Sequence, residues 1–234
     1  MPGYILHLTA ARMFLDRLPA ESPLHTDLRM RDAFYIGNLL PDAVTPKTAS
    51  HFYDPAFLDR MIVWPEPEKF RSKYSDRMDY PVFMGYCYHL YIDKKFLKEY
   101  LAGVAEYYGR DGQPESRKSQ VDRVRLKRNG PWIPLDRYLS EEYYYGDYTR
   151  MNTWLCEQYQ LPGDEELAST CSDVFDPLET EIEEAKGADL QKVFRQLREY
   201  RKVPAEAVND LKVFDIEELL KFLEYAADEA IREF

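Results

Sequence analysis

An all-α fold is predicted for this sequence from three features. Apolar residues recur at helical spacing through several long segments. No segment shows a convincing period-two alternation, so no strand is predicted. No block repeats at a fixed interval, which sets aside solenoids and propellers. Residues 79–100, DYPVFMGYCYHLYIDKKFLKEY, carry the first feature most fully. Pro81 falls where a first turn tolerates it, and only Gly85 interrupts the run after it. Phe83, Cys87, Leu90, Leu97, Leu101 and Val104 share one face, the predicted core side. His89 and Asp93 flank that face one turn apart, about 6 Å along the axis, so both can point at one object. Gly85, one turn before His89, lets a neighbouring chain or a ligand approach closely.

The remaining elements follow in order. Residues 4–18 form a first helix, with Ile5, Leu8, Met13, Phe14 and Leu18 inward and His7 near its start. After a loop over 19–25, residues 27–40 form a second helix, ended at Pro41 because the residue before a proline avoids helical geometry. Residues 41–53 are an irregular loop holding Asp42 and His51, and 55–63 and 66–77 are short helical pieces separated by Trp64-Pro65. Beyond the central helix, 109–128 begins as a flexible turn and becomes a basic segment, and 129–134 is a break. Residues 135–161 are a Tyr-rich helix; 163–186 and 188–201 are charged helices. A turn over 204–209 leads to a last acidic amphipathic helix over 215–234, its acidic face read as solvated surface. The whole chain, 1–234, is one domain, with 110–135 available as a lid or insertion.

Composition narrows the function classes. The net charge of −11, from 31 basic and 42 acidic residues, argues against a general nucleic-acid binder, which needs a basic surface. It leaves room for an enzyme of phosphate esters, because a bound metal reverses the local field. Nineteen Tyr against twelve Phe predicts many rings with one wet end, suited to pocket walls. Cys87, Cys156 and Cys171 form neither a CxxC pair nor a disulfide framework. The first eighteen residues lack a basic region before an apolar core, and no run approaches the ~20 apolar residues of a membrane span. A soluble, cytoplasmic protein is the expectation. No P-loop or Rossmann glycine pattern appears, so no nucleotide cofactor is expected, and no HExxH is present.

The chain has four histidines. His7 lies in YILHLTAA, His51 in KTASHF and His89 in GYCYHLYID, while His25, in SPLHTDL, reads as a surface residue at a helix start. His7 alone reads equally well as a core histidine bonded to a backbone carbonyl. Asp42 follows Pro41 in GNLLPDA. Imidazoles and carboxylates drawn from a helix start, a loop and a helix middle are ligand types for Zn²⁺, and they also suit Mn²⁺ or Fe²⁺.

The order of His7, GNLLPD with Asp42, SHF with His51, and GYCYHLYID with His89 and Asp93 resembles the bacterial zinc-dependent phospholipase C family, a relative of the S1/P1 nucleases. The resemblance covers about the first hundred residues. It implies a phospholipase C/P1 nuclease-like multi-helix bundle and a metal-dependent phosphoesterase acting on a small phosphoester or phospholipid-type substrate. It further implies that Asp42, His51, His89 and Asp93 hold one ion, that Asp93 bridges to a neighbouring ion bound by His7, and that Asp42 acts as general base on the attacking water. The family holds a further ion through two His and a Glu that follow the HxxxD helix, and uses its processed N-terminal amine as a ligand. Here no His follows His89, and the chain begins MPGY. One or two ions are therefore expected, unless Glu141, Glu142 or Asp147 substitute for imidazoles.

Arg123, Arg125, Lys127 and Arg128 are candidate holders of an anionic substrate, against the simpler reading of a solvated face. Tyr143–Tyr145 suit either a pocket wall or a packed helix face. Two alternatives accompany the hydrolase. One is a non-catalytic metal-binding helical protein of the same fold that has lost turnover. The other is an HD-type phosphohydrolase, which needs an adjacent His-Asp pair that none of the four histidines supplies.

Overall fold

The computed structural model of the protein describes residues 3–127, 130–174 and 181–234. Helix dominates, at 61%. The chain runs through α1 (Tyr4–Leu15), α2 (Pro23–Thr26), α3 (Leu28–Ala43), α4 (Lys47–Ser50), α5 (Pro67–Lys73), α6 (Pro81–Lys95) and α7 (Leu101–Val104). A sheet of β1 (Ala105–Gly109), β2 (Val121–Leu126) and β3 (Trp132–Pro134) follows. Then come α8 (Leu135–Tyr138), α9 (Tyr144–Gln158), α10 (Asp164–Val174), α11 (Leu190–Tyr200) and α12 (Ile216–Glu233).

The centre of the molecule is α6 lying along α3. Residues Val82 to Asp93 are buried with the exception of half-buried Met84, so the helix is enclosed on every side rather than along one stripe. Two glycines allow the approach. A Cβ at Gly85 would lie 2.1 Å from the Phe34 carbonyl oxygen, and one at Gly37 would lie 2.1 Å from that of Val82. Only backbone without side chain fits at either point. Three tyrosines of α6 then tie the surrounding elements to it. Tyr86 donates to the Ser50 carbonyl at 2.7 Å, Tyr88 to that of Ala10 at 2.9 Å, and Tyr91 to that of Ala226 at 3.1 Å. These rings have dry, hydrogen-bonded hydroxyls, not the wet ends expected from composition. Outside this pair, α12 buries Leu219, Leu223, Ala226, Ala227 and Ala230 and packs on α1, while α10 and α11 cover the other side of α3.

The expected elements need three corrections. Residues 105–134 contain an antiparallel sheet of order β1-β2-β3 in which Val124 pairs with both Tyr107 and Ile133. In Val121–Leu126 the buried positions are 121, 124 and 126, an irregular pattern that follows neither the strict alternation of a strand nor a helical stripe. The segment expected as a lid or insertion is thus largely this hairpin. Second, α3 does not stop before Pro41 but runs through it to Ala43. Proline removes only its own N–H, so the last turn survives. The single helices expected over 135–161 and 163–186 are broken: α8 is separate from α9, and 183–185 is a 3₁₀ turn. Part of the second range, 175–180, lies outside the described residues.

Candidate metal centre

Four elements deliver the five predicted side chains to one place. His7 sits in the second turn of α1, Asp42 in the last turn of α3, His51 at the C-terminal end of α4, and His89 and Asp93 one turn apart on α6. Behind His51 the chain turns through Phe52 at φ 52°, a left-handed conformation uncommon for a bulky residue. Phe52 packs edge-on against Phe70, 5.7 Å between ring centroids, which holds the turn.

The geometry is close. His7 Nε2 lies 3.3 Å from Asp93 Oδ1, His51 Nε2 3.2 Å from Asp42 Oδ1 and 3.5 Å from Asp93 Oδ2, and His89 Nε2 3.7 Å from Asp93 Oδ2. His51 Nε2 and His89 Nε2 face each other at 3.3 Å, and the His7 and His89 rings stack at 3.7 Å. Two overlapping donor groups result, His7–His89–Asp93 and Asp42–His51–His89, each with ligand atoms within 4.8 Å of one another. All three imidazoles and Asp93 are completely buried, and Asp42 is 9% exposed.

Hydrogen bonds around the cluster fix which atoms face inward. His89 Nδ1 lies 2.8 Å from the Asn38 carbonyl, which can only accept, so Nδ1 carries the proton and Nε2 presents a lone pair. Ser50 Oγ donates to the Pro41 carbonyl at 2.8 Å. His51 Nδ1, near Ser50 Oγ at 3.0 Å and the Lys47 carbonyl at 3.2 Å, thus meets acceptors and donates outward. Both Nε2 atoms therefore direct lone pairs at each other and at the carboxylates. His7 Nδ1 and Nε2 and Asp93 Oδ1 and Oδ2 have no hydrogen-bond partner; the 3.3 Å approach of His7 to Asp93 is not aligned as one. A buried unpaired polar atom costs about 1–3 kcal/mol, and a charged one more. Four in one cluster, with nitrogen and oxygen lone pairs converging, fit a cation.

Burial, then the neighbouring His7, push the His89 imidazole down to about 3, so it is neutral at pH 7. Burial acts to raise Asp93, but His7, His89 and His51 hold it below the usual carboxylate range. At Asp42 burial is likewise outweighed, by His51, His89 and Lys47, and the carboxyl stays well below its ordinary value. The buried His and Asp groups can hold a metal ion.

Beside the cluster opens a cleft of about 300 Å³. Lys47 lines it and bonds Asp42 Oδ1 at 2.5 Å; Tyr53 lines it and stacks on His51, 5.3 Å between centroids. A neighbouring cavity of about 320 Å³ shares Arg60, Ile62 and Val63 with it; none of the five clustered residues lines either one, and Lys47 and Tyr53 connect the first to Asp42 and His51.

Other candidates lie elsewhere. Asp147 is no substitute ligand: it accepts from the backbone N–H of Lys212, Val213 and Phe214 and from Arg150. Glu142 pairs with Arg137, and Glu141 accepts from Thr149 at 3.2 Å. Arg123 and Arg125 lie over the Trp132 ring at 4.9 and 5.8 Å, and Lys127 lies 3.7 Å from Glu106, so these three do not line the cleft. Arg128 lies outside the described residues. Tyr144 and Tyr145 line the cleft, whereas Tyr143 faces Arg137 and Lys212. His25 contacts the Leu18 carbonyl at 3.2 Å, apart from the cluster. The cleft's cations, Lys47, Arg60 and Lys118, were not singled out by sequence; they come from three separated segments, with no motif to mark them.

Comparison of the chain with protein-family models, with curated proteins and with solved structures returns no match. Among the described residues no helix is long and apolar enough to cross a membrane.

Proposed function

We propose that the protein is a metal-dependent phosphoesterase, phospholipase C-like in its chemistry, with Zn²⁺ as the preferred ion and Mn²⁺ or Fe²⁺ as alternatives. The observation that carries this reading is the set of unpaired, inward-facing His and Asp atoms beside a cleft that a small substrate can enter. Mixed nitrogen and oxygen donors favour zinc among common divalent ions. A bound ion there supplies Lewis-acid polarisation of a phosphate oxygen and lowers the pKa of water from 15.7 towards roughly 7. The protein's own residues divide the remaining work. His7, His89 and Asp93 would hold an ion as one donor group, and His51 and His89, with Asp42, form the overlapping second group. Asp42, the one exposed member, faces the cleft through Lys47 and takes the proton of the attacking water. Lys47 offers its ammonium group to the phosphate as Asp42 engages the water. Tyr53 closes the wall over His51 and excludes bulk solvent.

One observation favours a second reading, a metal-binding protein of the same fold without turnover: four of the five side chains have no solvent exposure at all. One experiment separates the two. The protein is purified without chelator or metal-binding tag, its metal content is determined by mass spectrometry, and hydrolysis of bis(4-nitrophenyl) phosphate is followed before and after chelation. About one or two ions per chain with turnover lost in chelator and restored by zinc supports the esterase. Bound metal with no turnover selects the second reading. No metal after reconstitution at neutral pH overturns both.

A further inference from the structure

The cleft beside the cluster also carries a selectivity of its own. Its charged lining residues are Lys47, Arg60 and Lys118; no Asp or Glu lines it. Lys47 is committed to Asp42, but Arg60 and Lys118 belong to two segments stapled together at the outer rim. Arg60 forms an isolated bridge with Arg117, the Met61 N–H donates to the Ser116 carbonyl at 2.6 Å, and the Lys118 N–H donates to that of Asp59 at 2.8 Å. Arg60 Nη1 donates to Ser116 Oγ at 2.7 Å, its Nε lies 3.9 Å from Asp59, and Asp54 and Glu66 line the adjoining cavity with it. The staple thus joins the backbones that carry two cations of the cleft lining, and neither has a carboxylate closer than the 3.9 Å contact of Asp59 with Arg60 among the described residues. The rest of the wall is apolar and aromatic, with Met61, Leu97 and Leu139 beside Tyr53, Tyr107, Tyr138, Tyr144 and Tyr145, so its charge comes from the cations alone.

We propose that the cleft selects phosphoesters whose alcohol portion carries a second negative charge, and discriminates against those bearing a quaternary ammonium group. The reacting phosphate sits at Lys47 and the clustered donors, and the second anion sits 60- and 118-side, on Arg60 and Lys118. The inference rests on the phosphoesterase reading for its chemistry, but its charge preference is a binding property. In the reaction, water adds its oxygen to phosphorus and the bond from phosphorus to the leaving oxygen breaks. Its two protons end on the phosphomonoester and the released alcohol, with no oxidant or reductant.

The test uses three 4-nitrophenyl phosphodiesters with the metal-loaded protein, alike except for the second alcohol: carboxyethyl, propyl or choline. Release of 4-nitrophenol gives kcat/KM for each. Exposed pairs contribute little singly, so two cations together are expected to favour carboxyethyl over propyl about tenfold, with choline lowest. The Arg60→Ala/Lys118→Ala variant should bring the carboxyethyl-to-propyl ratio to about one, whereas Arg125→Ala, on the far side of the hairpin, should leave that ratio as it is. Equal rates for the three esters, or choline preferred, overturns the proposal. In parallel, calorimetry measures binding of the matching non-hydrolysable phosphonates. Charge-ordered binding that Arg60→Ala/Lys118→Ala abolishes, without turnover of any ester, upholds the selectivity while removing the esterase reading. Binding of all three phosphonates alike removes the selectivity whatever the turnover.

Discussion

Asp93 and Asp147 are two carboxylates with no solvent exposure in the same molecule, and the protein treats them in opposite ways. Asp147 accepts three successive backbone N–H groups, from Lys212 at 3.0 Å, Val213 at 2.7 Å and Phe214 at 3.0 Å, and pairs with Arg150 at 2.9 Å. Asp93 receives no hydrogen bond; its neighbours are three imidazoles, of which His51 and His89 turn bare Nε2 atoms inward. A buried carboxylate is tolerable only when its charge is compensated. Asp147 is compensated by the chain itself, which makes it a structural anchor between α9 and the segment before α12. Asp93 has no amide or guanidinium partner, and the imidazoles of His7, His89 and His51 hold its carboxyl below the usual range. Burial alone therefore does not mark a candidate ligand; convergence with three imidazoles sets Asp93 apart.

The comparison can be broken by removing each side in turn. The largest effect is expected for Asp147→Ala, which strands three amides and Arg150. A loss of about 3–5 kcal/mol follows, or roughly 10 °C in the melting temperature of a chain this size, with metal content unchanged in the folded fraction. A melt within 2 °C of the parent would mean that the amides find other partners. Next, chelation of the parent should lower its stability by up to about 4 kcal/mol if the free ion had been present at 1,000 times its Kd, while the same chelation of Asp93→Ala should do nothing. Equal shifts in both proteins would place the ion elsewhere.

A smaller effect sharpens the contrast. In chelator, Asp93→Asn should lower stability by about 1–2 kcal/mol, because the imidazoles that hold the carboxyl below its usual range lose their charged partner; a calorimetric scan showing a fall comparable to that of Asp147→Ala would erase the distinction between the two sites. The smallest effect is expected for Tyr86→Phe. It frees the Ser50 carbonyl at a cost of about 1 kcal/mol and loosens the neighbouring His51, so zinc affinity measured by competition with a chromogenic chelator should fall a few-fold. Unchanged affinity would show that α4 is positioned without that bond.

Part of this was legible beforehand. His89 and Asp93 could be paired from sequence because four residues along a helix is one turn. That His7, Asp42 and His51 join them depends on how α1, α3 and α4 meet α6, which no local pattern encodes. The hairpin escaped detection because Val121, Val124 and Leu126 follow neither the strict period-two alternation of a strand nor a helical stripe. Asp147 was a plausible ligand by chemistry, and only the amides of 212–214, some 65 residues later, show it to be filled. Arg60 and Lys118 became neighbours only through the staple between their segments, while Arg123 and Arg125, more conspicuous in sequence, turned out to cover Trp132.

The crossing of α3 and α6 also has a mechanical meaning. The Asn38 carbonyl that fixes the proton on His89 Nδ1 lies one residue beyond Gly37 and packs beside Gly85. The spacing between two backbones thus selects a tautomer. A single methyl group at Gly37, touching no ligand atom, would wedge the helices apart, release the imidazole from its carbonyl and let the proton migrate to the nitrogen that must stay bare. The helix pair works as a caliper whose setting is read in the protonation of one ring.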